Sequence, residues 1–297
     1  MSSFTTVPEA LAAYEHGLAR QPLANHTRRT YLIQVRRYCT YLSMLHWEYG
    51  YPLQEPHAGD YAVRDYKTAL KTVHLAKPST VNLALAAIDH FYRFLELPPP
   101  QVTREDLPTL APRALEPSEQ KRFLRAVQCC ASVRNRAIAL LLFYTGLRIS
   151  ECAALQLADV RLSSRKGLVI VRMGKGNTYR EVPLNAEVRT APDTWLEQRK
   201  KLAVQQNESA LFLTKQRTRL ATRSIDEVLR RLAQDANLSL SAHTLRHSCL
   251  TNLVRNGNDL VLVAELAGHK RLETTRRYSL PTAADREAEM ERLKVDY

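Results

Sequence analysis

The chain has 297 residues, 45% hydrophobic and 25% charged, a composition that excludes a disordered or fibrous protein. Its net charge of +13 predicts a polyanionic partner, nucleic acid first and an acidic membrane surface second, with a merely solvated basic surface as the alternative. The longest apolar run cannot cross a bilayer and the first residues do not read as a signal peptide, so we predict a cytoplasmic protein without a membrane partner.

The cysteines bear on the compartment of the protein, and the distribution of charge bears on which part of the chain binds the polyanion. The five cysteines are odd in number and contain no C-x-x-C pair, which argues against a disulfide scaffold or zinc ribbon and fits a reducing cytosol. Residues 1–97 carry ten Lys/Arg against eight Asp/Glu, or +2, which leaves 33 against 22, or +11, for residues 98–297. We therefore expect the second part of the chain to make most of the phosphate contacts.

Residues 1–97 are predicted to form a compact, all-helical domain. Apolar residues recur three or four positions apart, which is the spacing of one buried helix face. The predicted helices cover residues 8–20, 25–45, 58–73 and 79–97. Arg28 and Arg29 lie on the polar side of the second helix, where they are available to DNA.

Three prolines, Pro98-Pro99-Pro100, stop the last of these helices and open a predicted linker over residues 98–113. Residues 114–297 form the second predicted domain, which begins with one helix from Glu116 through Tyr144. Strand-like segments near 159–162, 168–171 and 179–183, with a hairpin turn at 174–177, predict a small antiparallel sheet. Further helices are predicted at residues 186–206, 222–236, 243–255, 259–268 and 283–294. The fold class is therefore mainly α with a small antiparallel β-sheet.

Separated motifs in the second domain carry residues suited to phosphate chemistry. They are Arg148 in Gly-Leu-Arg-Ile-Ser-Glu, Lys175 in Gly-Lys-Gly, His243 and Arg246 in His-Thr-Leu-Arg-His, His269 in Ala-Gly-His, and Tyr278. His243 and Arg246 share one helix face at i, i+3 spacing. Guanidinium groups hold phosphate oxygens in bidentate fashion and a phenol can attack phosphorus, so the pattern favours a phosphodiester over a carbonyl substrate.

In this order, and over about residues 112–280, the motifs resemble the catalytic signature of the tyrosine recombinase (phage integrase) family. The resemblance implies a helical core-binding domain followed by a mixed α+β catalytic domain. It also implies a site-specific DNA recombinase in which Tyr278 forms a 3′-phosphotyrosyl intermediate, without a metal, nucleotide or other cofactor. Ala267 departs from the family pattern, which usually has leucine there, but it does not touch the phosphate.

The resemblance also implies a role for each remaining residue. Arg148 and Arg246 would clamp the non-bridging oxygens, and Lys175 would protonate the leaving 5′-oxygen. His243 would accept or donate a proton near the tyrosine, and His269 would orient Tyr278.

Four simpler interpretations stay open at this point. Arg148 could be a structural partner of Glu151, and Lys175 could be a solvated turn residue, with Lys166, Arg172 and Arg180 as neighbouring cations. His243 and His247 could form a metal pair, with Cys249 or His269 as third ligand. Tyr278 could be a core residue, with Tyr297 as the rival phenol.

Double-stranded DNA is the expected partner. We expect the protein to be a monomer in free solution and to form a homotetramer on paired recombination sites. Arg28, Arg29 and Arg223 are predicted DNA contacts, and the tail helix over 283–294 is expected to dock on a neighbouring protomer. We expect a mobile-element enzyme acting in integration, excision or resolution, as in transposition. A type IB topoisomerase-like relaxing enzyme and a non-catalytic DNA-binding regulator are the alternative functions.

Overall fold

A computed structural model divides the chain into two compact units, Met1–Pro108 and Thr109–Tyr297. It describes residues 6–44, 50–107, 113–163, 165–172, 179–202 and 209–280, together with Glu287, Met290 and Glu291. The described part is mostly helical and contains one three-stranded antiparallel sheet, so the predicted fold class is confirmed. The finer domain limits, 1–97 and 114–297 with a linker over 98–113, stay a prediction beside this division.

The first unit is a bundle of four helices in its described residues. They are α1 (Val7–Arg20), α2 (Asn25–Met44), α3 (Pro56–Thr72) and α4 (Pro78–Phe94). Proline opens α3 and α4, where its missing N–H would have no helical partner, and Thr6 caps α1 through the N–H of Glu9. Aromatic rings fill the interior, where the hydroxyl of Tyr38 donates to that of Tyr92 (2.9 Å), which in turn donates to the carbonyl oxygen of Pro52 (3.1 Å).

Residues 98–107, the described part of the predicted linker, form hydrogen bonds and ion pairs with α3 and α4 of the first unit. Arg104 pairs with Asp89 of α4 at 2.6 Å, and Glu105 pairs with Lys67 of α3 at 2.8 Å. Asn82 of α4 also bonds the backbone of Glu105 through both ends of its side-chain amide. This segment therefore packs along α3 and α4 instead of leaving them.

The second unit packs further helices and the sheet around one apolar core. In chain order they are α5 (Pro117–Cys129), α6 (Val133–Thr145), α7 (Ile149–Ala154), β1 (Val160–Leu162), β2 (Gly167–Val171), β3 (Arg180–Leu184), α8 (Ala186–Leu202), α9 (Thr222–Asp235), α10 (Ala242–Arg255), α11 (Leu260–Ala267) and α12 (Leu272–Arg276). The predicted single helix from Glu116 to Tyr144 is wrong, because Ser132 caps a new helix by accepting from the N–H of Asn135. None of the described helices combines the length and apolarity needed to cross a bilayer.

Helix α6 is the centre of this core and contacts α8 and α10. Its residues are apolar nearly all round, as expected of a helix surrounded by protein. The sheet has the order β1-β2-β3, with Val169 opposite both Val160 and Val182. Because α6, α10 and the sheet are fixed by a shared core, the turns at their ends have fixed positions as well.

Candidate active site

The turn after α6 carries Arg148 into the site. Gly146 ends α6 in the left-handed conformation (φ 60°), which a glycine adopts without steric cost. Arg148 is then the N-cap of α7: its backbone N–H donates to Glu151 Oε2 (2.8 Å) and its Nη1 donates to Oε1 (2.7 Å). These bonds fix the guanidinium with 24% of the side chain still exposed.

Glu151 is buried between Arg148 and a second arginine, Arg180 of β3. Arg180 donates from Nη2 to Oε2 (2.7 Å), from Nη1 to Oε1 (3.1 Å), and from Nε to the carbonyl oxygen of Leu266 (2.9 Å). Burial by itself raises the pKa of Glu151, but the hydrogen bonds from Arg180 and Arg148 outweigh it and hold the pKa below its ordinary value. The carboxylate therefore ties α7 to β3 and, through Arg180, to the end of α11.

Arg246 of α10 is almost fully buried, with 2% of its surface exposed. It donates to the carbonyl oxygens of Gly146 and Ala267 (2.7 Å to Ala267) and to Nε2 of His269 (3.0 Å). Burial, with repulsion from Arg148 added, lowers the pKa of Arg246 to about 10, so the group stays charged at neutral pH. Because its acceptors end α6 and α11, Arg246 joins the two turns that carry Arg148 and His269.

The turn after α11 positions His269. Gly268 is left-handed (φ 63°), and a Cβ at this residue would lie 2.9 Å from Nη1 of Arg180. Nε2 of His269 must accept from Arg246, which can only donate, so Nδ1 carries the proton and donates to Oγ1 of Thr275 (2.9 Å). Burial and the charge of Arg246 lower the pKa of His269 to about 4, which keeps the ring neutral.

Tyr278 follows α12 and is 7% exposed. Its ring lies parallel to that of His269, with centroids 6.0 Å apart and an angle of 8°. Its hydroxyl is 2.9 Å from Nδ1 of His247. Burial raises the pKa of Tyr278, although the positive charges of Arg246 and Arg277 oppose this effect.

His247 and His243 lie one turn apart on α10, with ring centroids 4.0 Å apart in an edge-to-face arrangement. Burial, followed by the effects of His243 and Arg246, lowers the pKa of His247 to about 3. The pKa of the more exposed His243 is also lowered, by loss of surrounding water and by Arg246. Within the described residues, no three histidine, cysteine or acidic side chains are grouped as metal ligands.

Five of the six predicted catalytic residues lie together in one cluster: Arg148, His243, Arg246, His269 and Tyr278. The sixth, Lys175, lies outside the described residues. The predicted tail helix over 283–294 also lies outside them except for three helical residues, Glu287, Met290 and Glu291. The roles assigned to these residues stay predictions.

The three predicted DNA contacts differ in their surroundings. Arg28 donates from Nε to the carbonyl oxygen of Leu23 and from Nη1 to that of Ala19, both at 2.8 Å. Its guanidinium therefore holds the end of α1 against the start of α2. Arg29 and Arg223 are exposed on α2 and α9.

Sequence reasoning offered the pair of Arg148 and Glu151 as an alternative, but it missed the contacts of Arg180 with Glu151 and of His247 with Tyr278. His247 was considered only as a metal ligand beside His243, and Arg180 only as a neighbouring cation of Lys175. The i, i+4 spacing of His243 and His247 was the available signal, since it places both rings on one face of α10. No local sequence pattern predicts that the phenol of Tyr278 contacts that face of α10.

The assembled groups suit an anionic substrate. Arg148, Arg246 and Arg277 place positive charge around the phenol of Tyr278, and Glu151 is already neutralised by Arg148 and Arg180. The imidazoles of His247 and His269 have lowered pKa values and stay neutral at physiological pH, and His247 lies within hydrogen-bond distance of the phenol. The cluster thus suits a phosphate bound by guanidinium groups beside a phenol that has an imidazole within hydrogen-bond distance.

Comparisons with known proteins agree with this chemistry. The chain matches the sequence model of the Phage integrase family over residues 113–284. It is 32% identical over 302 residues to tyrosine recombinase XerA of Thermococcus kodakarensis, covering 97% of this chain and 96% of that one. It is 34% identical over 275 residues to tyrosine recombinase XerC of Myxococcus xanthus, covering 86% and 87%.

A solved structure shares the fold. The crystal structure of XerH site-specific recombinase bound to palindromic difH substrate, a post-cleavage complex, superposes with a TM-score of 0.72 at 21% identity. The alignment covers 89% of this chain and 79% of that one. At this identity, the likeness concerns the fold alone.

Proposed function

The chain belongs to the phage integrase family of tyrosine recombinases, and from this premise we propose that it cuts and rejoins DNA through a 3′-phosphotyrosyl bond to Tyr278. It is a tyrosine site-specific recombinase. One observation supports the proposal: the Tyr278 hydroxyl lies 2.9 Å from a neutral imidazole and within the positive field of Arg148 and Arg246. Double-stranded DNA is the substrate. Its phosphodiester is the anion that the arginine cluster binds.

The two arginines stabilise the transition state. When Tyr278 Oη attacks phosphorus, negative charge grows on the non-bridging oxygens, and fixed cations lower the energy of that charge without rearranging. Each arginine contributes about 3–4 kcal/mol, by comparison with single oxyanion-hole donors. The bonds of Arg246 to Ala267 and of Arg148 to Glu151 hold the guanidinium groups in place before DNA binds.

Two further groups act on protons around the phosphate. The leaving 5′-oxygen would be a poor alkoxide, and Lys175 protonates it so that a 5′-hydroxyl departs. His243 contacts the ring of His247 in the described structure, so we assign its proton transfer to the phosphate side of the site. His269 donates no proton in this proposal and orients Tyr278 through its parallel ring.

Rejoining reverses these steps, because the phosphotyrosyl bond conserves the energy of the diester. A second 5′-hydroxyl attacks phosphorus and releases Tyr278, which gives strand exchange through a Holliday junction without ATP. We propose that four protomers assemble on two sites, joined by tail segments over 283–294. A mobile-element role and a cytoplasmic location belong to the same proposal.

Trapping the covalent intermediate tests this function directly. The full chain is incubated with DNA of its host, adducts are captured under denaturing conditions, and the attached DNA is sequenced to identify the cleavage site. A duplex of that site, nicked so that the 5′-hydroxyl fragment diffuses away, should accumulate a covalent adduct. Tyr278→Phe should give none, and an adduct formed equally by this variant would overturn the proposal.

A second assay separates the recombinase from a topoisomerase. Two cognate sites on one plasmid should yield recombinant circles, whereas a relaxing enzyme removes supercoils from a plasmid with one site. A chain truncated after residue 281 should still cleave a nicked duplex but lose assembly on paired sites. Unchanged assembly by the truncated chain would remove the tail from the proposal.

A further inference from the structure

The phenol of Tyr278 contacts His247, a residue to which the sequence motifs assign no catalytic role. His247 is half-buried on α10, and its Nδ1 lies 2.9 Å from the phenol oxygen, with the two rings 5.3 Å apart. Because a histidine nitrogen at this distance can receive a hydroxyl proton directly, the contact has the geometry of a nucleophile with its base.

The other groups near the phenol are less able to take its proton. Both nitrogens of His269 are engaged, Nε2 with Arg246 and Nδ1 with Thr275. Arg246 is a charged donor with no lone pair to offer. His243 contacts the ring of His247, and within the described residues it is His247 that, in the tautomer protonated at Nε2, presents Nδ1 to the phenol as an acceptor.

We infer, building on the proposed function, that His247 is the general base of cleavage and the general acid of rejoining. As the bond from Tyr278 Oη to phosphorus forms and the bond from phosphorus to O5′ breaks, the phenol proton moves to Nδ1 of His247. O5′ takes its proton from Lys175 and leaves as a hydroxyl. In rejoining, the incoming 5′-hydroxyl attacks phosphorus and gives its proton to Lys175, while His247 returns its proton to the departing phenolate.

The charges around His247 make this base dependent on the substrate. It faces His243 and Arg246 from its own helix, Arg277 beyond α12, and His269 beyond α11, and with burial they bring its pKa to about 3. A ring with so low a pKa is a poor base in the empty site. A phosphodiester bound by Arg148 and Arg246 adds negative charge that offsets these cations and raises the proton affinity of His247. Tyr278 is thus activated when DNA is bound.

Single-turnover cleavage of the nicked duplex between pH 5 and 9 tests the inference. Wild type should cleave at a nearly constant rate, since the pKa of His247 starts from about 3 and stays below this range when the bound phosphodiester raises it. His247→Gln keeps a polar group but cannot accept a proton, and its rate at pH 7 should fall by about 10²–10³-fold. The residual reaction then needs phenolate formed in solution equilibrium, so its rate should rise about tenfold per pH unit below the phenol pKa.

His243→Gln is the competing arm of the same experiment. If it acquires the rising pH profile while His247→Gln stays flat, His243 is the base and the inference is overturned. The inference is also overturned if wild type forms adduct and His247→Gln matches its rate and profile. Absence of adduct with wild type would instead overturn the proposed function, so the two failures are distinct.

Two additional measurements separate loss of the base from loss of structure. His247→Ala should regain cleavage when imidazole is added, while Tyr278→Phe with imidazole should stay inactive. A duplex with sulfur at the bridging 5′ position has a leaving group that needs no proton, so it should rescue Lys175→Ala but not His247→Gln. Retained duplex binding in gel shifts shows that the variants are folded, and rescue of His247→Gln by the sulfur substrate would contradict the assignment.

Discussion

Arg246 and Tyr278 lie in one site, but the fold holds them in different ways. Arg246 is fixed by three acceptors on the turns after α6 and α11. Tyr278 contacts two neutral rings, one through its hydroxyl and one through its face. The guanidinium must have the same position before and after bond formation, whereas the phenol must lose a proton and gain a phosphorus. Changes on the arginine side should therefore cost both stability and activity, and changes at the phenol should cost activity with a much smaller loss of stability.

Arg246→Ala is the change with the largest expected effect. It removes a cation from the phosphate, so cleavage should fall by about 10³-fold. It also leaves the carbonyl oxygens of Gly146 and Ala267 without their donor inside the protein, which should lower the free energy of unfolding by about 3 kcal/mol. Single-turnover cleavage and urea unfolding measure the two losses.

Tyr278→Phe is the matched control for that experiment. It should abolish the covalent adduct, yet it deletes one hydroxyl from a packed ring and should change the free energy of unfolding by about 1 kcal/mol. Two results would contradict this difference between Arg246 and Tyr278. Arg246→Ala could unfold at the wild-type urea concentration, or Tyr278→Phe could be the less stable of the two variants.

Glu151→Gln tests the stability of the arginine side through pH. The folded-state pKa of Glu151 is lowered, so the stabilisation from its ionised form is present above the unfolded pKa of about 4.3 and is lost as pH falls through the folded pKa. At pH 7 the variant leaves Arg180 buried without its counterion and should be about 3 kcal/mol less stable.

The difference between wild type and Glu151→Gln should shrink as the pH falls below the ordinary pKa of a glutamate, and urea unfolding at pH 7 and pH 4 measures it. Glu119→Gln, a more exposed residue of α5, is the control and should unfold like wild type at both values. A gap of constant size across this pH range would show that Glu151 does not ionise in the way its partners imply.

Gly268→Ala should have a smaller effect with two components. The residue must keep φ near +63°, and its new Cβ would lie 2.9 Å from Nη1 of Arg180, whose position is fixed by Glu151. Strain at a positive φ costs about 1 kcal/mol, and displacement of Arg180 should add a similar amount. Cleavage should fall by about tenfold, because His269 follows directly.

Gly257→Ala isolates the strain component. Its φ is +80°, and a Cβ there would meet no atom within 4 Å. It should therefore lose about 1 kcal/mol of stability and keep its cleavage rate. Equal losses in the two variants would mean that contact with Arg180 plays no part at Gly268.

Local sequence signals predicted the elements that carry the site. The predicted helix ends at Tyr144 and residue 268 agree with the ends of α6 and α11 to within one residue, and the site residues Arg148 and His269 lie within a few residues of them. The helix starts predicted at residues 8, 25, 58 and 79 lie within two residues of the observed starts of α1, α2, α3 and α4. The cap at Ser132 was an available signal as well, but the apolar spacing on both sides of it resembles one helix.

Contacts across long stretches of sequence were beyond these signals. Glu151 and Arg180 are 29 residues apart, and His247 and Tyr278 are 31 apart. Periodicity predicts which face of α10 is buried, but the contact with Tyr278 depends on how α11 packs against α10 and α12 against α11. The family resemblance located the reactive residue types, whereas the hydrogen bonds that fix their protonation states required coordinates.

Thr275→Val should give the smallest loss of cleavage. It tests how His269, whose ring lies parallel to that of Tyr278, is held in place. Thr275 is fully buried and its Oγ1 accepts from Nδ1 of His269, so valine keeps the volume but leaves that N–H unpaired. The loss should be about 1–2 kcal/mol of stability. Because His269 can then rotate or change tautomer, its bond to Arg246 and its stacking on Tyr278 weaken, and cleavage should fall by about five- to tenfold. The exposed neighbour Thr274→Val should match wild type in both assays, and a Thr275→Val enzyme with wild-type cleavage would show that the orientation of His269 is not maintained through this bond.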